Sequence, residues 1–270
     1  PVASRNDKDF QNLMDVYLDA VFYPAMCTTP EILMQEGWHY EVDPVTRELS
    51  YKGVVFNEMK GAYSDPDSLH DHLCKCSLFP DTCYGLDSGG DPLEIPTLSY
   101  EEFIAYHKKY YHPSNSFIYF YGDDDPEKRL SFMDEWLSPF EAASIDSLPA
   151  IQQTFPEPLL IKRNFQANSK EAAKAYTAVN WMLYEHGDLL LSMQALVLFH
   201  ILTGTPASPL RKALIESGLG EDIAGFGFYE EMRQTAFSIG LKGVKPNNVT
   251  KVEELIFSTL ERLARDGIDP

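Results

Sequence analysis

The chain has 270 residues, 44% of them hydrophobic and 13% aromatic, which excludes a disordered chain and allows a real core. Its length suits one large or two ordinary domains at about 100–200 residues each. Lys plus Arg total 22 against 41 Asp plus Glu, a net charge of −19. That excludes nucleic acid and an anionic membrane as main partners and favours basic ones, because a phosphate surface needs a basic patch.

Residues 7–23 predict a helix. Phe10, Leu13, Met14, Tyr17 and Val21 share one face, Asn6 or Asp7 caps the start and Pro24 ends it. Thr29-Pro30-Glu31 starts a short helix. Residues 39–42 and 49–51 read as short strands about the Asp43-Pro44 turn. Residues 53–61 are helix-compatible between two glycines, and Asp65-Pro66 starts a helix to about Leu78. Ser99 and Glu102 form a capping box for a helix that stops before Pro113. Residues 116–121 are an aromatic-rich strand, and Asp125-Pro126 starts a helix to about Trp136.

Residues 138–158 carry Pro139, Pro149, Pro156 and Pro158 without a clear period and read as a linker. Beyond it come a strand at 172–183, helices at 187–203 and 208–217, strands at 222–230 and 233–243, and a helix carrying Val249, Val252, Ile256, Leu260 and Leu263 on one stripe. Helices and strands mix without strict alternation, so the fold class is α+β. The two halves look alike in outline, as an internal duplication would make them.

Four cysteines are too few for a disulfide scaffold, so reduced thiols are expected. No apolar run reaches the roughly 18 residues of a membrane span. The chain opens on Pro1-Val2-Ala3-Ser4, runs at once into a helix and stops on Ile268-Asp269-Pro270. It is expected to be a piece of something longer.

Three features could carry chemistry. His70, His72, Cys74 and Cys76 are four good zinc ligands, but i, i+2, i+4, i+6 spacing shares a face in a strand and scatters around a helix, which is what Asp65-Pro66 announces. Glu58 sits in the apolar stretch Val54-Val55-Phe56-Asn57-Glu58-Met59. It reads either as a helical carboxylate facing solvent or as one ligand of a metal, and a catalytic zinc needs about three. Neither Gly-x-Ser-x-Gly nor a phosphate-binding glycine loop occurs, so no catalytic or cofactor-binding residue is assigned.

The stretch Tyr51-Lys52-Gly53-Val54-Val55-Phe56-Asn57-Glu58-Met59-Lys60-Gly61 resembles the segment that carries the third zinc ligand in the presequence-protease (falcilysin-like) branch of the pitrilysin-type inverted-zincin metallopeptidases. Lys8-Asp9-Phe10-Gln11-Asn12-Leu13, Gln35-Glu36-Gly37-Trp38, Ser88-Gly89-Gly90-Asp91-Pro92, Tyr110-Tyr111-His112-Pro113-Ser114-Asn115 and Gly204-Thr205-Pro206-Ala207-Ser208-Pro209-Leu210-Arg211-Lys212 continue the likeness in order. The resemblance implies repeated α+β units around a proteolytic chamber. Residues 1–140 would be the C-terminal part of the first, zinc-peptidase unit, which lacks its N-terminal portion. Residues 141–158 would be the linker, and 159–270 most of a second, non-catalytic unit.

It further implies a Zn2+ endopeptidase that degrades targeting presequences and other short unfolded peptides in the mitochondrial matrix, the chloroplast stroma or both. In that family zinc is held by the two histidines of a His-x-x-Glu-His motif and a distant glutamate that Glu58 matches, and the motif's own glutamate is the general base for the zinc-bound water that attacks the peptide bond. The motif is absent here: the seven histidines are His39, His70, His72, His107, His112, His186 and His200, and no pair has its spacing. The chain alone is therefore expected to be inactive, with the remaining parts of the same parent chain and unfolded basic peptides as partners. The alternative is a non-catalytic scaffold or partner subunit of the same family.

Overall fold

The structure, a computed structural model, describes residues 1–166 and 174–268. It divides into two compact units, one of residues 1–59 and 91–148, the other of 60–90 and 149–270. Contact density thus gathers 60–90 with the second half, where sequence order alone would group it with the first.

The first unit holds helices α1 (Asp7–Phe22), α2 (Val54–Ala62, which begins here), α4 (Tyr100–Tyr110) and α5 (Pro126–Leu137), and the hairpin β1 (His39–Val42) and β2 (Leu49–Lys52). Local chemistry starts each helix. Asn6 accepts from the Asp9 amide at 3.0 Å, the Ser99–Glu102 capping box closes on both sides, and Asp125 caps α5 ahead of Pro126. Met14 of α1 packs on Phe132 and Met133 of α5, flanked by Phe10 and Trp136. The buried Arg129 guanidinium is fully employed by Asp124, by Gln11 Oε1 at 3.0 Å and by the faces of Phe10 and Phe132. His107 Nε2 donates to the Val21 carbonyl at 2.9 Å and ties α4 to the end of α1.

The second unit is built on a three-stranded antiparallel sheet in the order β3 (Ala175–Glu185), β5 (Gln234–Val244), β4 (Asp222–Tyr229). The central strand, β5, is buried almost throughout. Phe237, Ile239 and Leu241 meet α6 (Leu189–Thr203), α7 (Pro209–Glu216) and α8 (Val249–Asp266) through Leu202, Leu210, Leu214, Val252 and Ile256. Alternate residues of β5 point to the other face, where Ala236 joins Leu78 and Phe79 at the end of α3 (Pro66–Leu78). Gly240 is required by contact: a Cβ there would stand 1.8 Å from the Thr177 carbonyl oxygen of β3.

A polar knot centred on the buried Gln152 and Gln234 closes this unit. The Gln152 amide donates to Gln234 Oε1 (2.6 Å), and Gln234 Nε2 returns a bond to the Gln152 carbonyl (3.1 Å). Gln152 Nε2 donates to Asp81 Oδ2 (2.8 Å), and the Asp81 amide donates to Gln152 Oε1 (2.9 Å). The proline-rich segment is therefore anchored at Gln152, in its second half, although it has no regular structure.

The α+β class is borne out, and most predicted elements recur within a few residues. Residues 172 and 173, placed in the fourth predicted strand, lie outside the described residues. The helix expected from Thr29-Pro30 forms but widens into a π-type turn over Leu33–Gly37. The strand expected at 116–121 does not form. Its residues pair with no strand among the described residues, and Tyr119 is 83% exposed. Apolar side chains on both faces suit a strand flanked on both sides, and that demand is not met locally. No helix among the described residues is long and apolar enough to cross a membrane.

Truncating Gln234 to Ala leaves the buried Gln152 amide and carbonyl without the side chain that bonds them both. The loss expected in urea unfolding is about 1–3 kcal/mol, and a Gln152/Asp81 double-mutant cycle should show coupling through their side-chain bond. Simple additivity of the two substitutions would contradict the knot.

Candidate metal centre

Glu58 lies in the middle of α2, whose first helical bond runs from the Asn57 amide to the Gly53 carbonyl at 3.0 Å. Phe56 is the buried residue of that helix, set edge-on against Tyr51 at 5.9 Å between ring centroids. The opposite face is open. Val54 is 54% and Val55 38% exposed, and Glu58, four and three residues further on, shares their face and is exposed too. Among the described residues no hydrogen bond or ion pair engages the Glu58 carboxylate. Of the two readings open in the sequence, the environment is that of an exposed helical carboxylate beside uncovered valines, and among the described residues no group of three or more metal donors includes it.

The hairpin in front of α2 is well made. The Val45 and Thr46 amides donate to Asp43 Oδ1 at 2.8 and 2.7 Å, and these bonds hold the Asp43 carboxyl below its ordinary range. Tyr40 pairs across the strands with Tyr51, and Trp38 Nε1 donates to the Leu98 carbonyl at 3.0 Å.

His70, His72, Cys74 and Cys76 all lie on α3, and the helix separates them into two i,i+4 pairs. Cys74 Sγ is 3.6 Å from His70 Nε2, and Cys76 Sγ is 3.4 Å from His72 Nδ1. His70 packs against the Tyr176 ring at 5.5 Å, whereas His72 meets Asp87 Oδ2 at 3.1 Å through Nδ1 and the Tyr63 hydroxyl at 3.0 Å through Nε2. Among the described residues no group of three or more His, Cys, Asp or Glu side chains is placed to hold a metal ion. The helix that Asp65-Pro66 announces forms, and its periodicity sends alternate residues to different sides. Burial pushes the Cys76 thiol up, with Lys75 opposing and Asp87 assisting, so it is a poor nucleophile at neutral pH.

His70 behaves differently. Burial disfavours its charged form, but the bonds to Asp71 and Cys74 prevail and raise it from 6.5 to about 9. A pKa raised by folding contributes stability that is complete below the unfolded value of about 6.5 and is lost as pH climbs through about 9. Sequence reading missed Gly53 and Gly37. Glycines at a strand-to-helix junction were visible, but their mutual contact was not.

Three comparisons bear on this chain. Residues 97–270 match the family model described as the peptidase M16 inactive domain. Over its whole length the chain is 50% identical to "Presequence protease 1, chloroplastic/mitochondrial" of Arabidopsis thaliana, and also over its whole length 46% identical to "Protein HypA" of Clostridium perfringens. It covers 25% and 28% of those two proteins, about a quarter of the length of the curated relatives it matches. A solved peptidase M16 inactive domain from Pseudomonas fluorescens superposes with a TM-score of 0.64 at 14% identity, over 99% of this chain and 59% of that one. This likeness shows the fold.

His70→Gln should destabilise the chain below pH 7, and the deficit against wild type should shrink as thermal unfolding is repeated up to pH 10. A deficit independent of pH would remove the charge from the account.

Proposed function

The chain belongs to the peptidase M16 family, and on that premise we propose that it is part of a zinc metalloendopeptidase that degrades targeting presequences and other short unfolded peptides, with Glu58 as one of three zinc ligands. The observation that carries this is the Glu58 carboxylate itself. It stands on the open face of α2 beside two exposed valines, has no partner among the described residues, and lies in the Tyr51–Gly61 stretch that resembles the ligand segment.

An unengaged carboxylate is a suitable oxygen donor for zinc, and one donor of the three a catalytic site needs. Zinc, when bound, supplies Lewis-acid activation of water and of the peptide carbonyl. Glu58 contributes an anionic oxygen that lowers the net charge of the site, and α2 holds it in place. The histidines and the general base come from elsewhere in a longer polypeptide. In this reading residues 1–140 close the first pitrilysin-like unit, 141–158 link, and 159–270 form most of a second, non-catalytic one.

The substrates are unfolded basic peptides, since presequences are Arg-rich and poor in acids and a net charge of −19 attracts them. The compartment is an organelle, the mitochondrial matrix or the chloroplast stroma, if the protein follows its Arabidopsis relative. The Clostridium relative, nearly as similar, means that these residues do not themselves choose the compartment. The match to an inactive-domain model favours a second reading, a non-catalytic scaffold.

The test is made on the longer polypeptide. Wild type should hold a full equivalent of zinc and cut a basic presequence peptide. Glu58→Gln should lose the zinc and, with several kcal/mol of Lewis acidity gone, slow hydrolysis by about 100-fold or more. The 270-residue chain alone should do neither. A longer polypeptide without His-x-x-Glu-His, inactive in both forms, would decide for the scaffold.

A further inference from the structure

We propose that Gly53 is a positioning residue for the zinc ligand: its missing side chain lets α2 start hard against the hairpin, and this sets where the Glu58 carboxylate stands. The inference rests on the reading of Glu58 as a ligand.

Lys52 is the last residue of β2 and pairs with His39, and Val54 is the first of α2. Gly53 alone makes the turn between them. It is buried, with φ +144°, a backbone conformation that side chains rarely adopt. A Cβ on it would lie 2.1 Å from the Gly37 carbonyl oxygen, 2.6 Å from the Gly37 carbonyl carbon and 2.7 Å from Trp38 Cα. All three are backbone atoms at the root of β1 and cannot swing aside as a side chain would.

The neighbouring glycines are unlike it. A Cβ on Gly37 would press on Leu33 Cδ1 at 2.7 Å, the end of a flexible side chain, and one on Gly61, within α2 itself, would meet nothing within 4 Å. Of the three, only Gly53 is closed by backbone.

The consequence reaches Glu58 through a rigid path. The Gly53 carbonyl accepts the first bond of α2, Phe56 is wedged against Tyr51, and Trp38 is tied to Leu98. Relieving a 2.1 Å contact to ordinary van der Waals distance moves the helix start by about 1 Å. Metal–ligand distances tolerate only about 0.2 Å. With no spacer residue to absorb the shift, it passes along the helix to the carboxylate.

The experiment compares zinc affinity, by chelator competition, in the longer polypeptide as wild type, Gly53→Ala, Gly61→Ala, Trp38→Phe and Glu58→Gln, with circular dichroism to verify folding. Gly53→Ala should bind zinc about 10–100-fold more weakly. Its hydrolysis should recover on added zinc with an unchanged KM for the peptide, which a general folding defect would not do. Gly61→Ala should match wild type. Wild-type affinity in Gly53→Ala, or a loss of hydrolysis that zinc does not restore, overturns the proposal while zinc loss in Glu58→Gln leaves the ligand reading intact. Zinc retained in Glu58→Gln sinks the ligand reading itself. If Gly53→Ala does not fold, Trp38→Phe decides: weakened zinc supports the brace, and unchanged affinity overturns it.

Discussion

The second unit depends on an exchange of hydrogen bonds in which the buried Gln152 joins the buried Gln234 to the more exposed Asp81. These residues come from the turn after α3, the proline-rich segment and the central strand of the sheet, 71 and 82 residues apart along the chain. Gln152 is 2% exposed, so its polar atoms have no water to fall back on, and an unmade bond there would cost more than a made one contributes. Arg233 adds to the same seam: its backbone amide donates to the Tyr84 hydroxyl, and its guanidinium reaches the Pro149 carbonyl and Glu185. A polar core of this kind specifies which segments meet. The apolar clusters on either face of β5 supply the bulk of the burial without that selectivity.

The first unit rests on a different constraint, exclusion of a side chain. The hairpin and α2 join without a loop, which is open only to a residue without a Cβ. Strand and helix become one rigid piece, and a carboxylate halfway along the helix inherits the hairpin's coordinates. Precision at Glu58 is thus a property of backbone packing several residues away, and the carboxylate itself stays unengaged. The exposed Val54 and Val55 on the same face belong to the same arrangement, an apolar border around an anionic group.

The α3 helix shows how far residue type falls short of a site. Four side chains with zinc chemistry lie within seven residues, yet a period of 3.6 places them as two histidine–cysteine pairs facing different neighbours. One histidine is driven to hold its proton by Asp71 and Cys74, and the other is held between Asp87 and Tyr63. Both serve the packing of the helix.

Elements that carry their own start and stop chemistry were legible from the sequence alone. Asn6, Asp65, Ser99 with Glu102, and Asp125 cap their helices as residues of those types do, through bonds that span two or three positions. The family was legible as well, because a likeness of ordered motifs needs no coordinates, and Glu58 was singled out by the company it keeps. What the tertiary structure alone decided involves partners distant in sequence. Residues 116–121 have the pattern of a strand but find no strand to pair with. Residues 60–90 pack with the later half because Asp81 meets Gln152. Gly53 is indispensable because Gly37 lies against it. Each of these depends on a contact across 16 residues or more, and a local pattern holds no record of which remote backbone will close on it.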